Sequence, residues 1–338
     1  MHKSRITLLL AFLAGACTTP QTDHSLPSLG RGINFGNMLE SPREGDWGRK
    51  VEDADIDRVA EAGFNTIRLP VRFSNHAETT PPYRLDPAFL ARIDHIVDRA
   101  LADHLNIILD QHNYSQLTGD KLDAHEEAVD PALAEDRMVA LWSQIAEHFR
   151  GRPKQVLFEL MNEPHKDMTA ERWNRLMPRI LKAVRAKEPY RAVIVGPTDW
   201  NNAKDLAKLE LPEDPALIVT IHNYEPFDFT HQGAKWVEHT PPLGKSCCDE
   251  KQTARLTAPL DIAVAWGKEH HVPIYLGEFG AYNRGDLDSR VNFTRAMRQA
   301  AEERGLSWAY WEYNAGFGAY DPKAEQWVEP LKEALIPR

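Results

Sequence analysis

The sequence predicts an α/β protein with a single (β/α)8 TIM barrel, in which eight parallel strands close into a ring surrounded by helices. Apolar strand-like runs alternate with amphipathic helical stretches eight times over about 300 residues. The runs are continuously apolar, which is typical of parallel strands buried on both faces. Large polar residues follow the ends of most runs, where such barrels gather their functional side chains.

Eight short apolar runs are the predicted strands of the barrel. Each has four or five residues and is bounded by polar residues, glycine or proline. An open doubly wound sheet is the less favoured alternative, because no G-x-G-x-x-G turn follows the first strand. The predicted strands are residues 32–35, 65–69, 106–110, 156–160, 192–196, 217–221, 273–276 and 306–310.

The stretches between the strands have apolar residues at helical spacing. Asp86-Pro87 and Asp130-Pro131 each place a capping carboxylate before a proline at the first helical position, which marks the start of two helices. The long 226–252 segment after the sixth strand is predicted to be a functional loop. The predicted helices are residues 53–62, 87–104, 131–149, 169–187, 253–270 and 288–304, with a short one near Lys204.

The composition allows one large folded domain and excludes some functions. The chain has 338 residues, of which 42% are hydrophobic and 27% are charged, so it can bury a sizeable core. The net charge is −10, which argues against a broad basic surface for nucleic acid. Because no repeat or interdomain linker is visible, residues 30–338 are predicted to form one barrel domain. We expect a monomer without a cofactor.

The amino-terminal residues resemble an export signal. A short basic segment precedes an apolar run that ends at Leu13, and the small residues Ala14-Gly15-Ala16 come directly before Cys17. This arrangement resembles a bacterial lipobox, in which the cysteine is acylated, although Ala14 stands where lipoboxes usually carry Leu. The same small residues also fit ordinary signal peptidase.

We therefore predict a signal peptide at residues 1–16, lipidation of Cys17 and a tether at residues 17–29. The protein is expected in the periplasm or on the cell surface, with secretion as the alternative. The longest apolar run is about half the length of a membrane span, so membrane contact is expected only through the anchor.

Cys247 and Cys248 are adjacent, and the chain contains no C-x-x-C zinc spacing. Two interpretations of this pair are open. Either the residues are ordinary loop thiols, or they form a vicinal disulfide in an oxidising compartment. The sequence slightly favours the thiols.

Large polar or aromatic residues stand at the ends of seven of the eight predicted strands. Glu163 follows the fourth strand and Glu278 the seventh, and two facing carboxylates suit hydrolysis of a glycosidic bond. A metal-dependent barrel hydrolase is less favoured, because the first strand ends in Asn34-Phe35-Gly36-Asn37 rather than His-x-His. The strand-end residues are Asn34, Asn37, Arg68, His112, Asn162, Glu163, His222, Tyr224, Glu278 and Trp311.

Six motifs follow one another along nearly all of residues 30–335. They are Ile67-Arg68-Leu69-Pro70, Gln111-His112-Asn113-Tyr114, Leu160-Met161-Asn162-Glu163-Pro164, Ile221-His222-Asn223-Tyr224, Leu276-Gly277-Glu278-Phe279-Gly280 and Tyr310-Trp311-Glu312. With these motifs the chain resembles glycoside hydrolase family 5. Residues 33–48 and 229–236 are similar to the bacterial endo-β-1,4-glucanases of that family, some of which also cleave mannan.

The resemblance implies a retaining endo-acting hydrolase of β-1,4-linked glucan, and it implies roles for the matched residues. Glu163 corresponds to the general acid/base and Glu278 to the nucleophile. Arg68 and Tyr224 correspond to residues that donate hydrogen bonds to the nucleophile. Contacts with the polysaccharide are implied for Asn37, Glu40, Arg68, Gln111, His112, Asn162, His222, Tyr224, Trp236 and Trp311.

Two alternative functions remain open. Relatives often carry a second histidine where this chain has Gln111, which forms hydrogen bonds but cannot titrate. Because this difference affects the expected tolerance of mannan, an endo-β-mannanase is one alternative. A non-catalytic glycan-binding protein on the same scaffold is the other, although the presence of both Glu163 and Glu278 argues against it.

Overall fold

The computed structural model describes residues 25–337, in which eight parallel strands form a closed barrel in sequence order. Pairing of β1 with β8, with Gly32 opposite Ala309, closes the ring. The predicted fold is confirmed, and each predicted strand is present with its ends shifted by no more than a few residues. The barrel strands are β1 (Arg31–Asn34), β2 (Thr66–Val71), β3 (Asn106–Gln111), β4 (Val156–Glu159), β5 (Val193–Val195), β6 (Leu217–His222), β7 (Ile274–Phe279) and β8 (Ser307–Tyr310).

Helices connect the strands around the outside of the barrel. The Asp86 carboxylate caps α2 by accepting a hydrogen bond from the backbone N–H of Ala88 at 2.8 Å, as predicted. Asp130 caps the 3-10 turn Pro131–Leu133 in the same way, so α4 begins at Ala134 rather than at residue 131. The helices are α1 (Asp53–Ala62), α2 (Pro87–Ala102), α3 (Ser115–Thr118), α4 (Ala134–His148), α5 (Ala170–Arg185), α6 (Thr198–Asn201), α7 (Phe227–Thr230), α8 (Glu250–His270), α9 (Leu287–Glu303) and α10 (Glu329–Leu335).

Two features near the carboxyl terminus were not predicted. A ribbon of two antiparallel strands, β9 (Tyr320–Asp321) and β10 (Gln326–Trp327), follows the barrel, and α10 follows the ribbon. Strands of two residues are too short to show a period, and α10 has no side-chain cap that would mark its start.

The barrel interior changes from apolar to charged along its axis. Near the amino-terminal ends of the strands, Ile108, Leu157, Ile194 and Tyr275 belong to one buried apolar cluster. Towards the carboxyl ends of the strands the interior residues are polar, and fully buried Arg68 on β2 lies among them. The charged layer therefore lies towards the carboxyl ends of the strands, where the strand-end residues were predicted to meet.

The chain enters the barrel at its apolar end. Leu29 is buried in the interior cluster, and Leu26 packs against it. The carbonyl oxygen of Leu29 accepts a hydrogen bond from the Thr66 hydroxyl at 2.5 Å. The predicted tether boundary at residue 29 therefore falls inside the folded unit. The predicted signal peptide and Cys17 lie outside the described residues, and within residues 25–337 no helix is both long and apolar enough to cross a membrane.

Cys247 and Cys248 form a disulfide, so of the two interpretations left open the slightly favoured one, free thiols, is not the one observed. The pair lies directly before α8, whose N-cap is Asp249, at the end of the predicted functional loop. Cys247 is buried, and its carbonyl oxygen accepts a hydrogen bond from the Asn292 side chain at 3.4 Å. Adjacency in the sequence is compatible with either redox state, which is why the sequence did not decide between them.

Candidate active site

A fully buried arginine lies at the centre of the charged layer. The Arg68 guanidinium on β2 donates two hydrogen bonds to Glu159, at 2.7 and 2.8 Å. It also donates to Glu278 Oε1 at 2.7 Å and to the side-chain oxygens of Asn34 and Asn162 at 2.9 Å each. Because the guanidinium charge is permanent and its donors have fixed directions, Arg68 orients groups from β1, β4 and β7 at once.

Asp110 is a buried carboxyl group of the site that the sequence analysis did not single out. It lies on β3, with Oδ2 3.1 Å from the Arg68 guanidinium and 2.6 Å from His112 Nδ1. Burial raises the pKa of Asp110 to about 7, although the Arg68 charge opposes this shift. An acidic residue after a continuously apolar run was the sequence signal that could have identified it.

The two candidate catalytic carboxylates face each other across the barrel mouth. One carboxylate oxygen of Glu163 and one of Glu278 lie within 4.8 Å of each other. Glu278 is 4% exposed and accepts hydrogen bonds from Arg68 at 2.7 Å and from the Tyr224 hydroxyl at 2.8 Å. Glu163 is more open, with 21% of its side chain exposed, and its Oε1 lies 2.7 Å from His222 Nδ1.

The surroundings of these two carboxyl groups favour different protonation states. Burial raises the pKa of Glu278, while the charge of Arg68 lowers it. Burial also raises the pKa of Glu163, and the charges that oppose this shift do not include a direct arginine contact. Because direct hydrogen bonds from Arg68 and Tyr224 stabilise a carboxylate, we expect Glu278 to be the ionised partner and Glu163 the proton carrier.

His112 and His222 flank the two carboxylates as neutral rings. Burial lowers the pKa of His222 to about 4 and also lowers the pKa of His112. The Nε2 atom of His112 faces the side-chain nitrogen of Asn162 at 3.3 Å, and that of His222 faces the side-chain nitrogen of Asn201 at 3.2 Å. An amide nitrogen only donates, so Nε2 is the acceptor and each ring carries its proton on Nδ1, facing a carboxylate.

The two tryptophans predicted to contact sugar are Trp311 and Trp236. Trp311, directly after β8, stacks on the His112 ring with the ring centroids 5.4 Å apart. Trp236 is 60% exposed and meets Tyr282 edge to face, with centroids 4.7 Å apart. Flat apolar faces of this kind suit the C–H faces of sugar rings.

Three other predicted sugar contacts are tied into the loops around the cleft. The Asn37 side chain donates to Glu312 at 2.5 Å, and burial raises the pKa of Glu312 to about 8. Glu40 is 2% exposed and accepts hydrogen bonds from the backbone N–H groups of Asn37 and Met38. Gln111 is 1% exposed and donates to a backbone carbonyl at 2.7 Å. Glu40 and Gln111 therefore hold loops in place, and their contact with sugar stays a prediction.

The comparison with known families agrees with this arrangement. The family model described as Cellulase (glycosyl hydrolase family 5) matches residues 29–316. This chain belongs to glycosyl hydrolase family 5. It is 34% identical over 293 residues to Endoglucanase H of Acetivibrio thermocellus, and the match covers 87% of this chain and 30% of that protein. The chain therefore spans less than a third of that relative's length.

Solved structures of family 5 members share the fold over most of their length. One structure described as an endoglucanase superposes with a TM-score of 0.87 at 41% identity, covering 92% of this chain and 97% of the other. Structures of Thermotoga maritima Cel5A in complex with cellobiose and with mannotriose each give a TM-score of 0.86 at 40% identity, covering 91% of this chain and 97% of the other.

In this family 5 chain, Glu163, His222 and Glu278 are also close enough to share a cation, since one potential ligand atom of each lies within 4.8 Å of the others. The charges argue against that use. Arg68 already pairs with Glu278, and the His222 proton points at Glu163. A metal ion would have to displace both interactions, so we assign these residues to acid–base chemistry.

Proposed function

We propose that the protein is a retaining endo-β-1,4-glucanase that cleaves glucan chains by double displacement. The observation that carries this proposal is the distance of at most 4.8 Å between carboxylate oxygens of Glu163 and Glu278. Retaining glycosidases hold their two carboxyl groups about 5–5.5 Å apart, whereas inverting enzymes need about 6.5–9.5 Å to admit a water molecule. Membership of family 5 and the endoglucanases among its relatives support the substrate class.

In the first step, a Glu278 oxygen forms a bond to the anomeric carbon while the bond from that carbon to the glycosidic oxygen breaks. Glu163 transfers its proton to the departing oxygen. The hydrogen bonds from Arg68 and Tyr224 keep Glu278 ionised until it attacks. Asn162, which Arg68 holds through its side-chain oxygen, is the proposed partner of the sugar 2-hydroxyl group.

In the second step, Glu163 acts as a base. It takes a proton from water, the water oxygen bonds to the anomeric carbon, and Glu278 leaves as a carboxylate. Two successive inversions return the product in the β-configuration, and Glu163 is protonated again for the next cycle.

Azide rescue of two variants tests the assignment. We expect added azide to restore activity to Glu278→Ala with formation of the α-glycosyl azide, because the nucleophile has been removed. We expect Glu163→Ala to cleave substrates with activated aryl leaving groups and to give the β-glycosyl azide. Glu147→Ala, which removes a half-exposed carboxylate on α4, is the control and should behave like the parent. NMR detection of the α-anomer as the first product of β-glucan would contradict retention.

Glucomannan is the proposed second substrate. The support is the mannotriose complex of Thermotoga maritima Cel5A and the exposed Trp236 face. Reducing-sugar assays on barley β-glucan, carboxymethylcellulose, glucomannan and xylan should show the highest rates on the first two. If a mannan-rich polymer is cleaved faster than β-glucan, the endo-β-mannanase alternative takes precedence.

We also propose that the chain is exported and acylated at Cys17. The support is the basic and apolar amino-terminal segment followed by small residues and this cysteine. Mass spectrometry of the protein purified from its native membrane should find diacylglycerol on Cys17. An unmodified amino terminus at Cys17 would refute acylation but not export.

A further inference from the structure

A third histidine lies beside Glu163, and both of its ring nitrogens face oxygen acceptors. His165 Nδ1 lies 2.5 Å from the backbone carbonyl oxygen of Glu163, and its Nε2 lies 2.8 Å from Asp120 Oδ2. A carbonyl oxygen cannot donate, so Nδ1 carries a proton. Asp120 also accepts hydrogen bonds from Lys166 and from the Thr118 hydroxyl, as an ionised carboxylate does, so Nε2 carries a proton too. The ring is therefore an imidazolium.

The electrostatic surroundings agree with this charge state. The hydrogen bond from His165 holds the pKa of Asp120 well below its usual range. Burial opposes the charged form of His165, but the hydrogen bonds to Asp120 and to the Glu163 carbonyl outweigh it and raise the pKa of His165. Burial lowers the pKa of His112 and His222 instead. His165 is thus the charged one of these three rings around Glu163.

The same contacts fix the backbone that carries Glu163. Glu163 has a φ of 46°, in the left-handed region, which a non-glycine residue adopts only where its surroundings enforce it. His165 binds the Glu163 carbonyl oxygen and so helps to hold this turn. The Trp200 ring stacks over His165 with centroids 4.8 Å apart, and the Trp200 backbone N–H donates to the Pro164 carbonyl at 3.4 Å.

We propose that Asp120 and His165 form a positioning couple, which holds the Glu163 backbone at the turn after β4 and places a fixed positive charge beside its carboxyl group. This inference rests on the proposed role of Glu163 as the acid/base. The couple touches no reacting atom, so it acts only through Glu163. Loss of the couple should lower kcat/KM for substrates whose leaving group needs a proton and should change it little for substrates whose leaving group does not.

The charge of the couple has a defined effect on pH dependence. The positive charge of His165 favours the Glu163 carboxylate and so lowers the pKa of Glu163. Removing that charge should raise this pKa, and the basic limb of the kcat/KM profile should move to higher pH. In His165→Gln the other ionisable or charged groups that face Glu163 or His165 are unchanged; they are Arg68, Asp110, His112, Asp120, Lys166, His222, Tyr224 and Glu278.

The experiment compares His165→Gln and Asp120→Asn with the parent on two substrates. For barley β-glucan, where the leaving group needs an acid, we expect kcat/KM to fall by about 10- to 100-fold, because small misplacements of catalytic groups have effects of this size. For 2,4-dinitrophenyl β-cellobioside, we expect kcat/KM, which reports glycosylation, to change by less than about threefold. The basic limb for β-glucan should move to higher pH in His165→Gln, which removes the positive charge directly. It should move the same way in Asp120→Asn, because Asp120 raises the pKa of His165 and its loss favours the neutral ring.

His148→Gln is the matched control, because His148 also pairs with an aspartate, Asp94, at 2.7 Å, but at the opposite end of the barrel. It should leave kcat/KM on both substrates and the basic limb of the pH profile unchanged. If kcat/KM falls equally on both substrates and the basic limb does not move, the positioning role is wrong, and Asp120 and His165 have only a structural role. Should His165→Gln fail to fold, Asp120→Asn keeps the side-chain shape and gives the same readouts. Glu163→Ala distinguishes failure of the positioning couple from failure of the proposed function. If the activity lost in Glu163→Ala does not depend on the leaving group, Glu163 is not the acid/base and the proposed function fails. If the loss depends on the leaving group in Glu163→Ala but not in His165→Gln or Asp120→Asn, only the couple fails.

Discussion

Tyr224 contributes a single hydroxyl group to the site, on the Glu278 oxygen that Arg68 does not hold. Burial raises the pKa of Tyr224 well above its usual range, so the hydroxyl stays a donor. Hydrogen bonds to charged groups contribute about 1.5–3 kcal/mol, so Tyr224→Phe should lower kcat/KM on β-glucan by roughly 10- to 150-fold. Without this donor the pKa of Glu278 rises, and the acidic limb of the profile should move to higher pH.

Steady-state kinetics across pH would measure both effects of Tyr224→Phe. Tyr320→Phe is the matched control, because the buried Tyr320 hydroxyl has no hydrogen-bond partner among residues 25–337. An acidic limb that stays in place would show that Tyr224 does not act on the ionisation of Glu278.

Arg68 should matter for stability as well as for catalysis. Arg68→Met leaves Asp110, Glu159 and Glu278 buried without their cation, and breaking a buried ion pair costs about 3–5 kcal/mol. Burial already raises the folded-state pKa values of these acids, and loss of the Arg68 charge that opposes this shift would raise them further above their unfolded values. The folded variant therefore binds more protons than the unfolded chain, and the loss grows as pH rises. Urea unfolding at pH 5 and pH 8 should show the larger loss at pH 8. Arg84→Met, which removes an exposed arginine paired with Glu78, should cost no more than about 1 kcal/mol at either pH.

The residues found from sequence differ in kind from those that were missed. Glu163, Glu278 and Arg68 lie in contiguous motifs that show both the residue type and the strand end. Asp110 pairs with Arg68 on a neighbouring strand, and Asn201 contacts His222 on β6, so their roles become visible only once the barrel closes. The burial of Glu40 and Gln111 depends in the same way on loops that meet only in the folded chain.

At the level of elements, β7 departs from simple alternation. Tyr275 and Phe279 would share a face in a regular strand, but Tyr275 packs in the interior cluster and Phe279 packs in the larger apolar core. Glu278, which regular alternation would place opposite Tyr275, contacts Arg68 inside the barrel. Register shifts between β6 and β7 and between β7 and β8 accommodate this change. Gly277 is required beside it, because a Cβ there would lie 2.4 Å from the Thr220 hydroxyl oxygen. A period of two predicts the strand but not the shift, since the shift arises from pairing with its neighbours.

The 3-10 turn Phe73–His76 should make stability depend on pH. The His76 ring stacks on Phe89 of α2 with centroids 3.6 Å apart, and burial lowers the pKa of His76 to about 4. The unfolded chain therefore binds a proton that the folded chain does not, and stability is lost as pH falls from about 6.5 to about 4. His76→Phe should reduce this loss in urea unfolding measured at pH 7 and pH 4.5. The control is His95→Phe, which replaces an exposed histidine and should leave the loss of stability between pH 7 and pH 4.5 as it is in the parent. If His76→Phe also leaves that loss unchanged, other groups account for the acid sensitivity.

At the scale of the whole molecule, Trp236 is the most exposed aromatic side chain among residues 25–337 and the predicted stacking surface for a polymer. Loss of such a stacking surface costs about 1 kcal/mol or more, so Trp236→Ala should lower kcat/KM on β-glucan by at least about fivefold with unchanged thermal unfolding. Ile262→Ala, which trims an exposed apolar side chain on α8, is the control. If Trp236→Ala retains the parental kcat/KM, this tryptophan has only a structural role.

The position of Leu26 and Leu29 at the apolar end of the barrel has a practical consequence for immobilising the protein. The cleft opens at the other end, and strands of up to six residues separate the two faces by roughly 20 Å. A solid support coupled at Ser25, next to Leu26, would therefore lie behind the barrel, with the cleft turned outward. Beads that carry the protein by this end should retain more activity on insoluble glucan than beads coupled through a residue at the cleft rim.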